Sequence, residues 1–248
     1  MSAPSILKKF DSILTHRPLV VGTLTGNISL AGQVREAHAA PVDIIEIRLD
    51  TFDFNKTRAP EFLATVRRMT KKPLLLTLRS GKEGGDKRFQ KFIGNKDKEK
   101  FFRAILPFGD LIDLEIRDKS LLKRITQRAR SKGISVIHSL HDFKKMPPRG
   151  ILNQSARESI RLKGDFFKVA VAVKNPEDLR KFFDWGLDCP HPRPVLIAMG
   201  RAGEVSRILG YCFGSPLTFG HLGRSAAPGQ LKARDLTQAI GNIFPKDF

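Results

Sequence analysis

The chain carries 248 residues, with 44 Lys and Arg against 25 Asp and Glu, a formal net charge of +19 and a sequence pI near 10.3. Its hydrophobic content of 41% excludes a disordered chain, and its length suits one large domain, residues 1–248, with a substantial core. No apolar run approaches the roughly 20 residues that span a bilayer, and residues 1–9 lack a signal core and a cleavage site, so a cytoplasmic protein with no membrane partner is expected.

Residues 19–25 read as a first apolar strand, followed by a helix at 29–40. The same alternation recurs with strands at 42–49, 73–79, 111–116 and 134–140, and helices at 59–69, 96–106, 120–132 and 151–162. A sixth strand lies within 164–173, then come a helix at 176–185, a strand at 194–199, a helix at 202–211, a strand at 216–220 and a helix at 232–243. Continuous apolar strands joined by helices imply a parallel sheet covered by helices. Eight such units at this length predict an α/β fold, a single-domain (β/α)8 TIM barrel. A doubly wound open sheet is the alternative, but no Gly-x-Gly-x-x-Gly follows the first strand.

The basic residues recur on stretches such as 65–72 and 121–132, which read as solvated faces of amphipathic helices. They favour an anionic partner. With no zinc-finger spacing and no aromatic RNA-binding motif, specific nucleic-acid binding is the lesser reading. Cys189 and Cys212 are too few for a disulfide framework and lack metal-ligand spacing.

The sixth strand holds Lys168 in an otherwise apolar run. An ammonium group desolvated there is costly, so its pKa falls and the neutral amine becomes a nucleophile toward ketones and aldehydes. Taken alone, such a lysine more often snorkels at a strand edge or pairs with a carboxylate. The other polar strand residues reverse that reading, because barrel active sites sit at the C-terminal ends of strands. Glu46 and Arg48 share one face near the end of the second strand. Arg79 ends the third, and Glu83 follows in the glycine-rich turn at 80–85. Glu115 is late in the fourth, His141 closes the fifth, Arg207 follows the seventh and Gln230 follows the eighth.

An imine on Lys168 would acidify the adjacent C–H, and histidine suits the base. Of six histidines, His141 is the best placed. His138 has the opposite strand parity and lies deeper; His16, His38, His191 and His221 fall outside the constellation. Glu83 is placed to orient His141. Arg48, Arg79 and Arg207 imply an anionic, hydroxylated small-molecule substrate. The turn at 80–85 lacks P-loop spacing, so phosphate binding is not expected.

Several segments carry a closer likeness: Glu46-Ile-Arg-Leu-Asp50, Thr77-Leu-Arg-Ser80 with Glu83, Ser139-Leu-His-Asp-Phe143, Phe167-Lys168-Val-Ala170, Met199-Gly200 with Ser206-Arg207, Thr218-Phe219 and Ala227-Pro-Gly-Gln230. In this order they resemble the type I 3-dehydroquinate dehydratase family of the shikimate pathway, over nearly the whole chain. The resemblance implies a Schiff base between Lys168 and the C3 ketone of 3-dehydroquinate. It implies that His141 moves the C2 proton to the departing C1 hydroxyl in a syn elimination, with Glu83 positioning His141. Arg207 and Gln230 would hold the substrate carboxylate; Glu46, Arg48 and Arg79 would bind ring hydroxyls, with Thr23 contributing. Met199, Phe143 and Phe219 would wall the ring. No metal or organic cofactor is implied, and a homodimer is.

The chain departs from the family pattern twice. Ile47 stands where an aromatic residue is frequent, facing away from the site. The family's Ser-Ala-Pro-Gly-Gln loop reads here Ser225-Ala-Ala-Pro-Gly-Gln230, which puts Ala226 at the serine position and makes Ser225, one place early, the candidate replacement. Two other readings are a class I aldolase or transaldolase-like Schiff-base barrel, against which the Pro-Gly-Gln loop argues, and a catalytically inactive basic barrel that binds nucleic acid.

Overall fold

The computed structural model describes residues 10, 13–14, 16–26, 28–52, 58–86 and 95–245. Residues 1–9, read above as lacking a signal core, lie outside them. Eight parallel strands run in the order β7-β6-β5-β4-β3-β2-β1-β8. They are β1 (Leu19–Leu24), β2 (Ile44–Arg48), β3 (Leu74–Thr77), β4 (Leu111–Glu115), β5 (Ser135–Asp142), β6 (Phe166–Ala172), β7 (Pro194–Met199) and β8 (Leu217–His221). The helices among the described residues are α1 (Leu30–Ala39), α2 (Ala59–Met69), α3 (Asn95–Ile105), α4 (Lys119–Ser131), α5 (Arg149–Arg161), α6 (Pro176–Leu187), α7 (Ser206–Leu209) and α8 (Ala233–Ile243). The architecture is the (β/α)8 barrel that the alternation predicts.

The helices form because each carries one apolar stripe and good end signals. Ala59, Leu63 and Val66 bury one face of α2; Ala233, Leu236 and Ile240 bury one face of α8. Ser29 caps α1 by accepting the Gly32 N–H at 3.2 Å, and Asn175 caps α6 by accepting from Asp178 at 2.8 Å, with Pro176 in the first turn. Each fully buried Leu, Ile or Val on these stripes contributes about 1.5–3 kcal/mol. The stripes pack on the outward residues of the strands, such as Ile45, Ile47, Leu76, Ile112 and Val136.

Alternate strand residues point into the barrel. At the N-terminal end this interior is apolar: Leu19, Ile44, Leu75, Leu111, Ile137, Phe166, Val195 and Leu217 form one cluster, joined by Phe10, Ile13 and Leu14. The next inward positions are largely polar, and they are the site.

The predicted helix at 202–211 is three short pieces: a 3₁₀ turn at Arg201–Gly203, α7, and a second 3₁₀ turn at Gly210–Phe213. The cause is a tight tether to β7. A Cβ on Gly203 would lie 2.5 Å from the Ala198 carbonyl oxygen, and the Ser206 hydroxyl accepts the Ala198 N–H at 3.0 Å. β5 also runs further than predicted, so His141 lies inside the strand.

β7 and β8 touch across the remaining seam, but no ladder joins them among the described residues. Side chains bridge it. The Ser215 hydroxyl accepts from the Leu196 N–H and donates to the Leu217 carbonyl, both at 3.0 Å.

Candidate active site

The polar positions of the barrel interior meet in one cavity at its C-terminal end. It encloses about 470 Å³ of empty space, part of it open to solvent. Its walls include Thr23, Glu46, Arg48, Arg79, Glu83, His141, Phe143, Lys168, Met199, Arg207, Phe219 and Gln230.

Lys168 is buried at mid-strand on β6. Its Nζ lies 3.4 Å from Asp113 Oδ2, 3.9 Å from Glu46 Oε1 and 3.9 Å from the centre of the Phe219 ring. Burial pushes the amine below its usual pKa, and the carboxylates of Asp113 and Glu46 only partly offset this. The lysine is therefore paired, as its bland reading supposed, and also desolvated, as its reactive reading required.

Glu46 accepts from Thr23 Oγ1 and Thr77 Oγ1, each at 2.8 Å. Asp113 accepts from Ser139 Oγ at 2.5 Å and pairs with Arg79 Nη2 at 2.9 Å. Asp113 escaped the sequence reading, which named Glu115 late in the same strand, and Ser139 was quoted there only within a motif, without a role. The signal was present: Asp113 shares the inward parity of Glu115, and a buried carboxylate at mid-strand requires a cation. Glu115 instead accepts the Ser80 N–H at 2.6 Å and so anchors the turn that carries Glu83.

His141 is held by Glu83. One carboxylate oxygen, Oε2, accepts the His141 backbone N–H at 3.1 Å and lies 3.0 Å from Nδ1. Burial first, and then Arg79, Lys168, Arg48 and Arg117, keep the imidazole well below its usual pKa, so it is neutral at pH 7. Burial and the neighbouring Glu115 push Glu83 up to about 7, against the pull of Arg79 and Arg117. A neutral imidazole that donates through Nδ1 has a bare Nε2, which is a proton acceptor. His138, by contrast, points out of the barrel and bonds Thr126 at 2.8 Å and Ser159 at 3.0 Å.

Arg48 is paired with Asp50 through two bonds of 2.9 Å. Arg207, on α7, is buried yet makes no carboxylate pair among the described residues. Its Nε donates to the Gly229 carbonyl at 2.7 Å, Nη1 to Phe219 at 3.2 Å and Nη2 to Pro228 at 3.5 Å. Burial pushes this guanidinium down to about 10. Gln230 accepts the Ala226 N–H at 2.7 Å and donates to Thr23 Oγ1 at 3.1 Å.

Of the residues expected in the site, Glu115 and Ser225 are not brought into the cavity, Glu115 standing behind it on the Ser80 N–H. The Ser225 hydroxyl donates to the Ala227 carbonyl of its own loop at 2.7 Å, on an exposed stretch; Ala226 and Ala227 line the cavity instead. Among the described residues no group of three His, Cys, Asp or Glu is arranged to hold a metal ion, and no helix is long and apolar enough to cross a membrane.

The arrangement offers a desolvated amine, a neutral imidazole and a guanidinium without a counterion in one small chamber. A 3-dehydroquinate dehydratase of Aquifex aeolicus is 28% identical over 221 residues, covering 89% of this chain and 96% of that one. Its crystal structure superimposes with a TM-score of 0.79 over 91% of this chain and 99% of that one, again at 28% identity. The type I enzyme of Clostridium difficile, solved with covalently modified comenic acid, gives a TM-score of 0.83 at 28% identity, over 92% of this chain and 93% of that one. A 3-dehydroquinate dehydratase of Klebsiella pneumoniae is 32% identical over 90% of both chains. The type I 3-dehydroquinase family matches residues 18–247, and the chain belongs to that family.

Proposed function

We propose that the chain is a type I 3-dehydroquinate dehydratase, a hydro-lyase that converts 3-dehydroquinate to 3-dehydroshikimate and water through an imine on Lys168. One observation carries the mechanism: a buried amine whose charge is disfavoured opens into the same cavity as a neutral, carboxylate-held imidazole.

The Lys168 amine adds to the C3 ketone, and loss of water gives the imine, whose protonated form draws electrons from the C2–H bond. His141 takes that proton on Nε2. The same proton then goes to the C1 hydroxyl, which departs as water as the C1–C2 double bond forms. Hydrolysis of the imine returns the lysine and releases the enone. Glu83 holds the imidazole in the tautomer this requires, as its two bonds to His141 suggest.

Arg207 and Gln230 receive the substrate carboxylate. Glu46, Arg48, Arg79 and Thr23 face the ring hydroxyls, and Met199, Phe143 and Phe219 enclose the ring. A guanidinium has five N–H donors, and three of those on Arg207 are committed to carbonyls. One on Nη1 and one on Nη2 remain, which matches the two oxygens of a carboxylate. The homodimer and the cytoplasmic location belong to the same proposal and rest on family membership; sedimentation velocity tests the former.

The test is direct. Adding 3-dehydroquinate should produce the ultraviolet absorption of the conjugated enone, and borohydride with substrate should trap an adduct that peptide mass mapping places on Lys168. Turnover without an adduct, or an adduct on another lysine, would sink the mechanism.

A further inference from the structure

β4 lies between β3 and β5 in the sheet. The two groups that must stay in register, Glu83 beyond β3 and His141 on β5, are therefore separated by a strand. Directly after that strand stands Arg117. Its Nη1 donates to the His141 backbone carbonyl at 3.0 Å and lies 3.4 Å from Glu83 Oε1. Glu83 grips the His141 N–H and ring with Oε2, so Arg117 holds the other carboxylate oxygen and the backbone carbonyl of the same residue.

We propose that Arg117 is a positioning residue of this site, a clamp that fixes the Glu83 carboxylate against His141 from outside the cavity. The proposal rests on the reading of Glu83 and His141 given above.

Burial and charge show why a clamp is placed there. The Glu83 side chain is 1% exposed, whereas that of Arg117 is 49% exposed, so its charge remains solvated and costs little to keep beside the carboxylate. Among the described residues, five ionisable groups surround Glu83. Arg79 on the β3 side is committed to Asp113 at 2.9 Å and reaches Glu83 only at 3.9 Å. Asp113 and Glu115 on β4 oppose ionisation, and His141 on β5 is neutral. Among the described residues that leaves Arg117 as the cation not already committed to a carboxylate other than Glu83. An ionised Glu83 accepts from Nδ1–H and leaves Nε2 bare. A protonated Glu83 can instead donate to Nδ1, which moves the ring proton to Nε2 and removes the base.

The sign follows. Arg117 favours the ionised carboxylate, so Arg117→Gln lets Glu83 keep its proton to higher pH. The acid limb of kcat/KM should move up by about one pH unit. The loss should therefore be about tenfold below the limb and should shrink as pH rises. Arg117→Lys keeps the charge and should restore most of the shift. In a Glu83→Gln background, Arg117→Gln should shift the limb far less, only through its own repulsion of a charged His141. A loss equal at all pH values, or a shift that persists in full without Glu83, would overturn the clamp.

A second measurement does not need turnover. The nitrogen chemical shifts of His141 in labelled protein report which ring nitrogen carries the proton. The pH at which the tautomer changes should rise in Arg117→Gln and return in Arg117→Lys; an unchanged transition refutes the proposal. Failure of borohydride to trap Lys168 in the unsubstituted protein would refute the dehydratase mechanism instead, leaving this readout standing.

Discussion

Arg207→Met is the most informative single change to the cavity. Held at about 10 instead of 12.5, the buried guanidinium stores about 3 kcal/mol of unfavourable desolvation in the empty protein. Methionine would relieve that cost but orphan the carbonyls of Gly229, Phe219 and Pro228, at about 1–3 kcal/mol for each left unsatisfied. Together the three carbonyls cost about 3–9 kcal/mol against that relief, so the free variant should melt at or below the unsubstituted protein. Anion recognition should not survive. Two charge-assisted hydrogen bonds at about 1.5–3 kcal/mol each correspond to a loss of roughly two to four powers of ten in affinity. The assay is KM from enone absorbance, paired with a thermal shift titrated with 3-dehydroquinate. In the unsubstituted protein KM should be flat below pH 9 and rise as pH passes about 10, because deprotonation removes the cation that binds the carboxylate. A KM within threefold of the unsubstituted value in Arg207→Met would show that the carboxylate is held elsewhere and refute the argument.

His141→Ala should lower kcat by about 10²–10⁴-fold with substrate affinity largely intact, measured by turnover and by equilibrium binding. Asp113→Asn breaks a buried ion pair and should cost about 3–5 kcal/mol, lowering the melting temperature by roughly 10 °C. It should also push Lys168 to a still lower pKa, since Asp113 is the largest influence holding that pKa up. Ser225→Ala should leave KM within twofold, because that hydroxyl serves its own loop. Ala226→Ser places a hydroxyl on the cavity wall and should tighten binding by about 0.5–1.5 kcal/mol.

The barrel was legible because its periodicities are strong: apolar runs for strands buried on both faces, and stripes for the helices that cover them. Lys168, Glu46 and Arg79 were legible because charge inside such runs has few uses. Asp113 was not, since Leu-Ile-Asp-Leu-Glu offers two carboxylates of equal parity, and choosing between them needs the depth of the strand in the barrel. Arg117 was invisible for a different reason: its partners lie on β5 and in the turn after β3, and nothing local distinguishes it from the many solvated cations of this basic chain. Ser225 was misplaced because loop spacing does not reveal that its hydroxyl turns back on the Ala227 carbonyl. The broken helix at 202–211 has an equivalent cause, as its periodicity is helical but its tether to β7 is tertiary.

The seam between β7 and β8 has a consequence for how this wall can vary. Seven ladders are closed by peptide groups, which every residue but proline supplies, and are therefore nearly indifferent to mutation. At the eighth junction the rung is a serine hydroxyl between Leu196 and Leu217, and beside it the Arg207 guanidinium on α7 holds the Phe219 carbonyl of β8. Closure of the barrel at that place is thus written in side chains and can be edited one codon at a time. Because the guanidinium that holds β8 and the loop after it also offers the chamber its uncompensated positive charge, the cohesion of that wall and the occupancy of the chamber are thermodynamically linked.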